Sequence, residues 1–200
     1  MKIIGITGGI GTGKSEVLKY ASAVDGAFVA EADKIAHDLM EPGGACFERI
    51  VSLFGSSVLA EDGSLDRNVL GAIVMNDKDK LRKLNSIVHP EVKEYVRSDI
   101  EVKRSEGYRF YILEAALLIQ DGYRFICDEI WFIRSSEEVR VHRLIKARGY
   151  TEEKAYSFIQ NQPDDSFYIE GSDRVIDNDE TPEKLHEKLS KLFDEISVIC

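Results

Sequence analysis

Short apolar or β-branched runs occur at residues 2–6, 27–31, 109–114, 129–134 and 173–177, each bounded by turn-forming or charged residues. Such runs read as strands. Between them, mixed apolar and polar stretches at 14–22, 34–40, 43–54, 67–76, 77–86, 90–105, 136–147, 151–162 and 181–196 read as helices. Strands that alternate with helices predict an α/β fold: a five-stranded parallel sheet with both faces covered, a three-layer sandwich. Ligands in such folds sit at the carboxyl ends of the strands. Two spans exceed a simple connection. Residues 34–105 separate the second and third strands by about seventy residues, where a crossover takes on the order of a dozen. This span predicts a helical substrate-binding insertion. Residues 136–170 form a second polar helical excursion, of the kind that closes as a lid in phosphoryl-transfer enzymes. The core is then 1–33, 106–135 and 171–200.

The loop after the first strand narrows the fold class. Gly8-Gly9-Ile10-Gly11-Thr12-Gly13-Lys14-Ser15 fits G-x-x-x-x-G-K-[ST], the P-loop of NTPases. Four fixed positions at average frequencies match by accident on the order of once per hundred chains of this length. A strand before the loop and a helix after it supply the expected context. Glycines let the backbone curl so that successive N–H groups face phosphate oxygens, and the helix adds the positive end of its dipole. Lys14 is expected to reach the terminal phosphates and Ser15 to hold Mg2+.

Composition excludes several classes. The net charge of −10 argues against nucleic-acid binding. No run of 18 apolar residues suggests a membrane span. The first strand begins at Lys2, leaving no room for a signal peptide. Cys46, Cys127 and Cys200 are odd in number and widely spaced, which fits a reducing compartment and no metal site. A cytoplasmic monomer is expected.

Beyond the loop, Asp33 follows the second strand, where a carboxylate can take or orient a hydroxyl proton. Preceding Lys34-Ile35-Ala36-His37, it can equally cap a helix. Glu31 faces a magnesium-bound water or only solvent. Arg140, Arg143 and Lys146 share a helix face at i, i+3 spacing. With Arg134 and Arg148 they either clamp phosphates or make a solvated face with Glu137 and Glu138. Glu114 ends the third strand; a carboxylate in water is favoured there over one facing magnesium or substrate. His89 precedes Pro90 and is read as structural. Asn178 follows the last strand, where it turns the chain or touches a nucleotide base.

Together these residues resemble the dephospho-coenzyme A kinases along nearly the whole chain. The matching segments are Gly5 to Ser15, Ala32-Asp33, Pro42-Gly43, Phe54-Gly55, Asp62-Gly63-Ser64-Leu65-Asp66-Arg67, His89-Pro90, Leu117-Leu118, Arg143, Gln162 and Val175-Ile176-Asp177-Asn178. The P-loop is common to many NTPases; the Gly-Ser-Leu-Asp-Arg run, His-Pro and the terminal Asp-Asn are more specific. The resemblance implies phosphorylation of the ribose 3′-hydroxyl of dephospho-CoA by ATP, giving coenzyme A and ADP. It implies Asp33, Lys14 and Arg143 as catalytic residues. ATP would be bound by Gly8, Gly9, Gly11, Thr12, Gly13, Lys14, Ser15, Glu16 and Asn178, and Mg2+ by Ser15. The chain departs from the family pattern at Glu31 (usually Asp), Glu16 (Thr), Ala116 (Pro) and Gln120 (Glu). The Glu16 side chain must point away from phosphate. The runner-up is another P-loop kinase, for a nucleoside, a sugar acid or shikimate. A nucleotide switch is disfavoured: Asn76-Asp77-Lys78-Asp79 does not follow a strand, as a base-reading motif would. A Leu-Ser-Gly-Gly-Gln transporter signature is absent.

Overall fold

The computed structural model describes residues 1–197. Cys200 lies outside the described residues. The strands are β1 (Lys2–Thr7), β2 (Ala27–Glu31), β3 (Phe110–Glu114), β4 (Glu129–Arg134) and β5 (Arg174–Asp177). They form one parallel sheet in the order β2-β3-β1-β4-β5. The N-terminal strand is therefore central: Ile6 lies opposite Glu114 on one side, and Thr7 opposite Phe132 on the other. The helices are α1 (Lys14–Ser22), α2 (Ala32–Leu39), α3 (Phe47–Phe54), α4 (Arg67–Met75), α5 (Lys78–Ser105), α6 (Glu137–Arg148), α7 (Glu152–Gln160), α8 (Asp165–Glu170) and α9 (Pro182–Ser197). The chain divides into two compact units. One comprises Met1–Ala30 and the chain from Val102 onward; the other is Glu31–Glu101. Helices α6 to α8 belong to the unit that holds the sheet.

Period-two alternation sorts the sheet's side chains. Ile4, Ile6, Phe110, Ile112, Trp131, Ile133 and Ile176 pack with Val17 and Ala21 of α1 and with Leu185, Leu189, Phe193 and Ile196 of α9. On the other face Gly5 meets Leu118 and Cys127. A Cβ there would lie 2.8 Å from Leu118 Cδ1 and 2.9 Å from Cys127 Sγ, so the central strand needs glycine for this close approach. Phe132 stacks on Tyr168 of α8 at 4.9 Å between ring centroids.

Two helical expectations need correction. The stretches at 77–86 and 90–105 are one helix, α5, which runs through Pro90. Val88, Val92, Val96 and Ile100 make a buried stripe at i+4 spacing across the proline. Burying each contributes roughly 1.5–3 kcal/mol, together more than the ~3 kcal/mol that an interior proline costs. Helix α8 was not expected in the tail of the 136–170 excursion. It is capped by Asp164, which accepts hydrogen bonds from Phe167 N at 3.1 Å and Ser166 Oγ at 2.7 Å, and it is anchored by buried Tyr168.

Candidate active site

The P-loop leaves β1 at Gly8 and enters α1 at Gly13. Gly13 has φ 89° and ψ 25°, the left-handed region where glycine is favoured. A Cβ on it would lie 2.3 Å from Asn178 Nδ2. Within the loop, Thr12 Oγ1 donates to Gly9 O at 2.9 Å. Lys14 Nζ folds back to donate to Gly8 O at 2.8 Å and approaches Gly9 O at 3.5 Å. Three donors on one ammonium allow these carbonyls to be exchanged for phosphate oxygens.

The loop is gripped from outside by residues far along the chain. Asn178, 5 % exposed, donates from Nδ2 to Thr12 O at 2.8 Å. Its own carbonyl accepts from Ser135 Oγ at 2.8 Å and Arg143 Nη2 at 2.7 Å. Arg143 Nη1 reaches Gly11 O at 3.4 Å, Thr12 O at 3.2 Å and Ser135 Oγ at 3.0 Å. Arg140 Nε donates to Ile10 O at 2.8 Å, and its Nη2 donates to Gln162 Oε1 at 2.7 Å. Gln162 Oε1 also accepts from Ile10 N at 2.8 Å. Burial lowers the pKa of both Arg140 and Arg143, yet a guanidinium keeps its charge throughout the working pH range. Of the three cations expected on one face, Arg140 and Arg143 thus address the loop's backbone, while Lys146 is exposed. The solvated-face alternative does not hold for Arg140 and Arg143.

Beneath the loop, Glu114 Oε1 lies 3.7 Å from Lys14 Nζ, with both side chains largely buried. The favoured reading of Glu114 as a carboxylate in water is therefore corrected. At the end of β3 it is held under the loop, because β3 pairs with β1 in the register that sets it opposite Ile6. Ser15 is exposed in the first turn of α1. A hydroxyl and a carboxylate are the hard oxygen donors that magnesium takes, so the residues present fit that ion. The Glu16 side chain points away from the loop, with Oε1 2.9 Å from His186 Nε2. Its N–H donates to Gly13 O at 3.0 Å.

Glycine loop, lysine, buried carboxylate and external grips are the apparatus of a P-loop phosphotransferase; the acceptor needs other evidence. Residues 2–184 match the family model described as dephospho-CoA kinase. The chain belongs to the dephospho-CoA kinase family. A dephospho-CoA kinase of Carboxydothermus hydrogenoformans is 35 % identical over 189 residues, covering 94 % of this chain and 91 % of the relative. Among solved structures, TT1252 from Thermus thermophilus superposes with a TM-score of 0.80 at 29 % identity, covering 97 % of each chain. Dephospho-CoA kinase from Campylobacter jejuni gives 0.74 at 25 % identity, covering 98 % of each. Enzymes of this family phosphorylate dephospho-CoA in the final step of coenzyme A biosynthesis, and this chain is a kinase of that family.

In this dephospho-CoA kinase family member, Asp33 lies in the unit Glu31–Glu101, in the first turn of α2. The helix cap is Glu31, not Asp33, and Asp33 is exposed. The capping alternative for Asp33 is set aside by this placement. Glu31 pairs with Lys34 at 2.6 Å. Gln120, where the family has glutamate, hydrogen-bonds the hydroxyl of Tyr168, whose pKa is raised by burial. A neutral side chain thus has a neutral partner. Sequence reasoning did not assign the roles of Ile10, Ser135 and Gln162. Gln162 appeared only as a match to the family, and the loop pattern leaves the Ile10 position free.

Proposed function

We propose that this chain transfers the γ-phosphoryl group of ATP to the ribose 3′-hydroxyl of dephospho-CoA. The P-loop cradles the ATP phosphates through its backbone N–H groups. Lys14 leaves its carbonyl partners to neutralise the terminal phosphates, and Asp33 accepts or orients the proton of the attacking hydroxyl. The observation that carries the phosphate half is the loop itself, strung between β1 and α1 with Lys14 turned inward over Gly8 O. Family membership carries the acceptor.

Mg2+, held by Ser15 with Glu114 beside it, would neutralise charge building on the phosphate oxygens. Asp33 suits its role because its carboxylate is exposed in a first helical turn and does not serve as that helix's cap. Gly8, Gly9, Gly11, Thr12 and Gly13 supply the cradle. Glu16 adds the start of α1, with its carboxylate turned to His186. Arg143 adds a permanent positive charge behind Gly11 and Thr12. Asn178 serves ATP through Thr12. Cys46 and Cys127 are free thiols, which suits a reducing cytoplasm, and no described helix is long and apolar enough to cross a membrane. We take the working unit to be a monomer.

The test is coupled ADP release with Mg-ATP, with and without dephospho-CoA, and mass analysis of the product. A large acceptor-dependent rate and a gain of one phosphate establish the reaction. ATP binding without stimulation by dephospho-CoA overturns the acceptor. A panel of nucleosides, sugar acids and shikimate then identifies another.

A further inference from the structure

The apex of the P-loop is Ile10, and both of its backbone polar groups are already taken. Its N–H goes to Gln162 Oε1 at 2.8 Å, and its carbonyl accepts from Arg140 Nε at 2.8 Å. Arg140 Nη2 closes the ring on the same Gln162 oxygen at 2.7 Å. One edge of the guanidinium thus spans two acceptors, and one amide oxygen receives two donors. The arrangement occupies the space beside Gly9, where a Cβ would lie 2.4 Å from Arg140 Nη2 and 2.7 Å from Gln162 Oε1. The Ile10 side chain packs on the cluster of Val141, Leu144, Ala155 and Ile159 between α6 and α7. Arg140 itself is 8 % exposed. Water therefore competes poorly for these bonds.

A phosphate-binding loop works by holding several N–H groups toward one point. An N–H turned outward at the apex fixes which peptide planes face inward and removes alternative loop conformers that would have to be reordered on binding. We infer that Arg140 and Gln162 are a positioning pair: they clamp the Ile10 peptides, hold the empty loop in its nucleotide-binding form, and so set the affinity for the ATP phosphates. Neither residue needs to touch the nucleotide. The pair acts as a unit because the two side chains share the Gln162 oxygen.

The inference rests on the loop binding a nucleoside triphosphate, not on the acceptor, so the readout is direct calorimetric binding of Mg-ADP and Mg-ATP without dephospho-CoA. Gln162→Met and Arg140→Met each remove two hydrogen bonds and are expected to weaken nucleotide binding by about tenfold. The double variant is expected to be no more than about twofold weaker than either single one, because each change already opens the ring. Arg140→Lys keeps the charge and the stem, but one ammonium cannot reproduce the planar fork across Ile10 O and Gln162 Oε1. It should weaken binding nearly as much as Arg140→Met. In steady state, KM for ATP rises while KM for dephospho-CoA stays within about twofold, a split that general loosening of the fold would not give. Wild-type affinity in Arg140→Lys, multiplicative losses in the double variant, or equal rises in both KM values would overturn the inference. If either methionine variant fails to fold, Arg140→Lys alone decides the matter by the same binding measurement.

Discussion

Asn178 donates its side-chain amide to the carbonyl of Thr12, 166 residues earlier in the chain, at 2.8 Å. The same Nδ2 occupies the space a Cβ on Gly13 would need. The last strand thus ends in a group that closes the back of the first loop. Gly13→Ala meets two penalties at once, a left-handed φ of 89° and a 2.3 Å approach to Asn178. It is expected to weaken Mg-ATP binding by at least about tenfold. Asn178→Ala, which leaves Thr12 O without this donor, costs roughly 1–2 kcal/mol of stability. Calorimetric titration and chemical denaturation check the two; wild-type affinity in Gly13→Ala would show that the loop tolerates another path.

Asp33 lies in the other unit, exposed. Asp33→Asn should therefore leave the unfolding midpoint almost unchanged. If the carboxylate addresses the acceptor hydroxyl, turnover falls by about 10²–10⁴-fold while ATP affinity is retained. Wild-type turnover in this variant removes Asp33 from the mechanism.

Lys14 is the residue proposed to neutralise the terminal phosphates, and its Nζ lies 3.7 Å from Glu114 Oε1. Lys14→Ala is expected to lower kcat/KM by more than about a hundredfold, with both ATP binding and turnover affected, since the charge is lost in ground and transition states alike. Unchanged kinetics would mean that phosphate is bound elsewhere.

Strand positions and loop chemistry were legible in the sequence; the order of the strands in the sheet was not. The strands declared themselves as short apolar runs, and the glycine loop by its spacing, because both signals are local. The continuity of α5 was not legible: Pro90 is a strong local stop signal, and only the packing of Val88, Val92, Val96 and Ile100 overrides it. Nor were the grips on Ile10. Arg140 and Gln162 lie 130 and 152 residues from the backbone groups they bind, and no periodicity links positions so far apart. Glu114 was misjudged for the same reason: whether a strand-end carboxylate is wet depends on what the neighbouring strand carries above it.

Thr7 is fully buried, and its Oγ1 has no hydrogen-bond partner among the described residues. Valine replaces the hydroxyl by a methyl group of similar size and removes the cost of burying an unpaired polar atom. Thr7→Val is expected to raise the unfolding midpoint by a few degrees, roughly 2–4 °C for about 1 kcal/mol in a chain of this size. A lower midpoint would reveal a partner for that hydroxyl, and differential scanning calorimetry is the measurement.

The Cys127 thiol is pushed up to about 12, first by burial and then by the charge of Asp128. Below the unfolded value of about 9 the thiol is protonated in both states, and the shift does not change stability with pH. Above it the unfolded chain ionises while the folded one does not. Each pH unit from there to about 12 then costs the fold about 1.4 kcal/mol. Cys127→Ala should show a shallower loss of stability between pH 9 and 11 than the parent chain, measured by denaturant melts at each pH. Parallel slopes would place that thiol in contact with solvent.

Because the strand at the middle of the sheet precedes both of its partners in the chain, its neighbours are made late. Lys2 pairs with Phe110, and Ile4 with Glu129. During synthesis β1 must wait for more than a hundred residues before it has any partner on either side, and the loop it carries is not closed until Asn178 has emerged. A chain interrupted before that residue carries the full glycine motif and none of its support from the last strand. Such topology favours slow, late assembly, so catalytic competence waits on the strand that carries Asn178 to the loop.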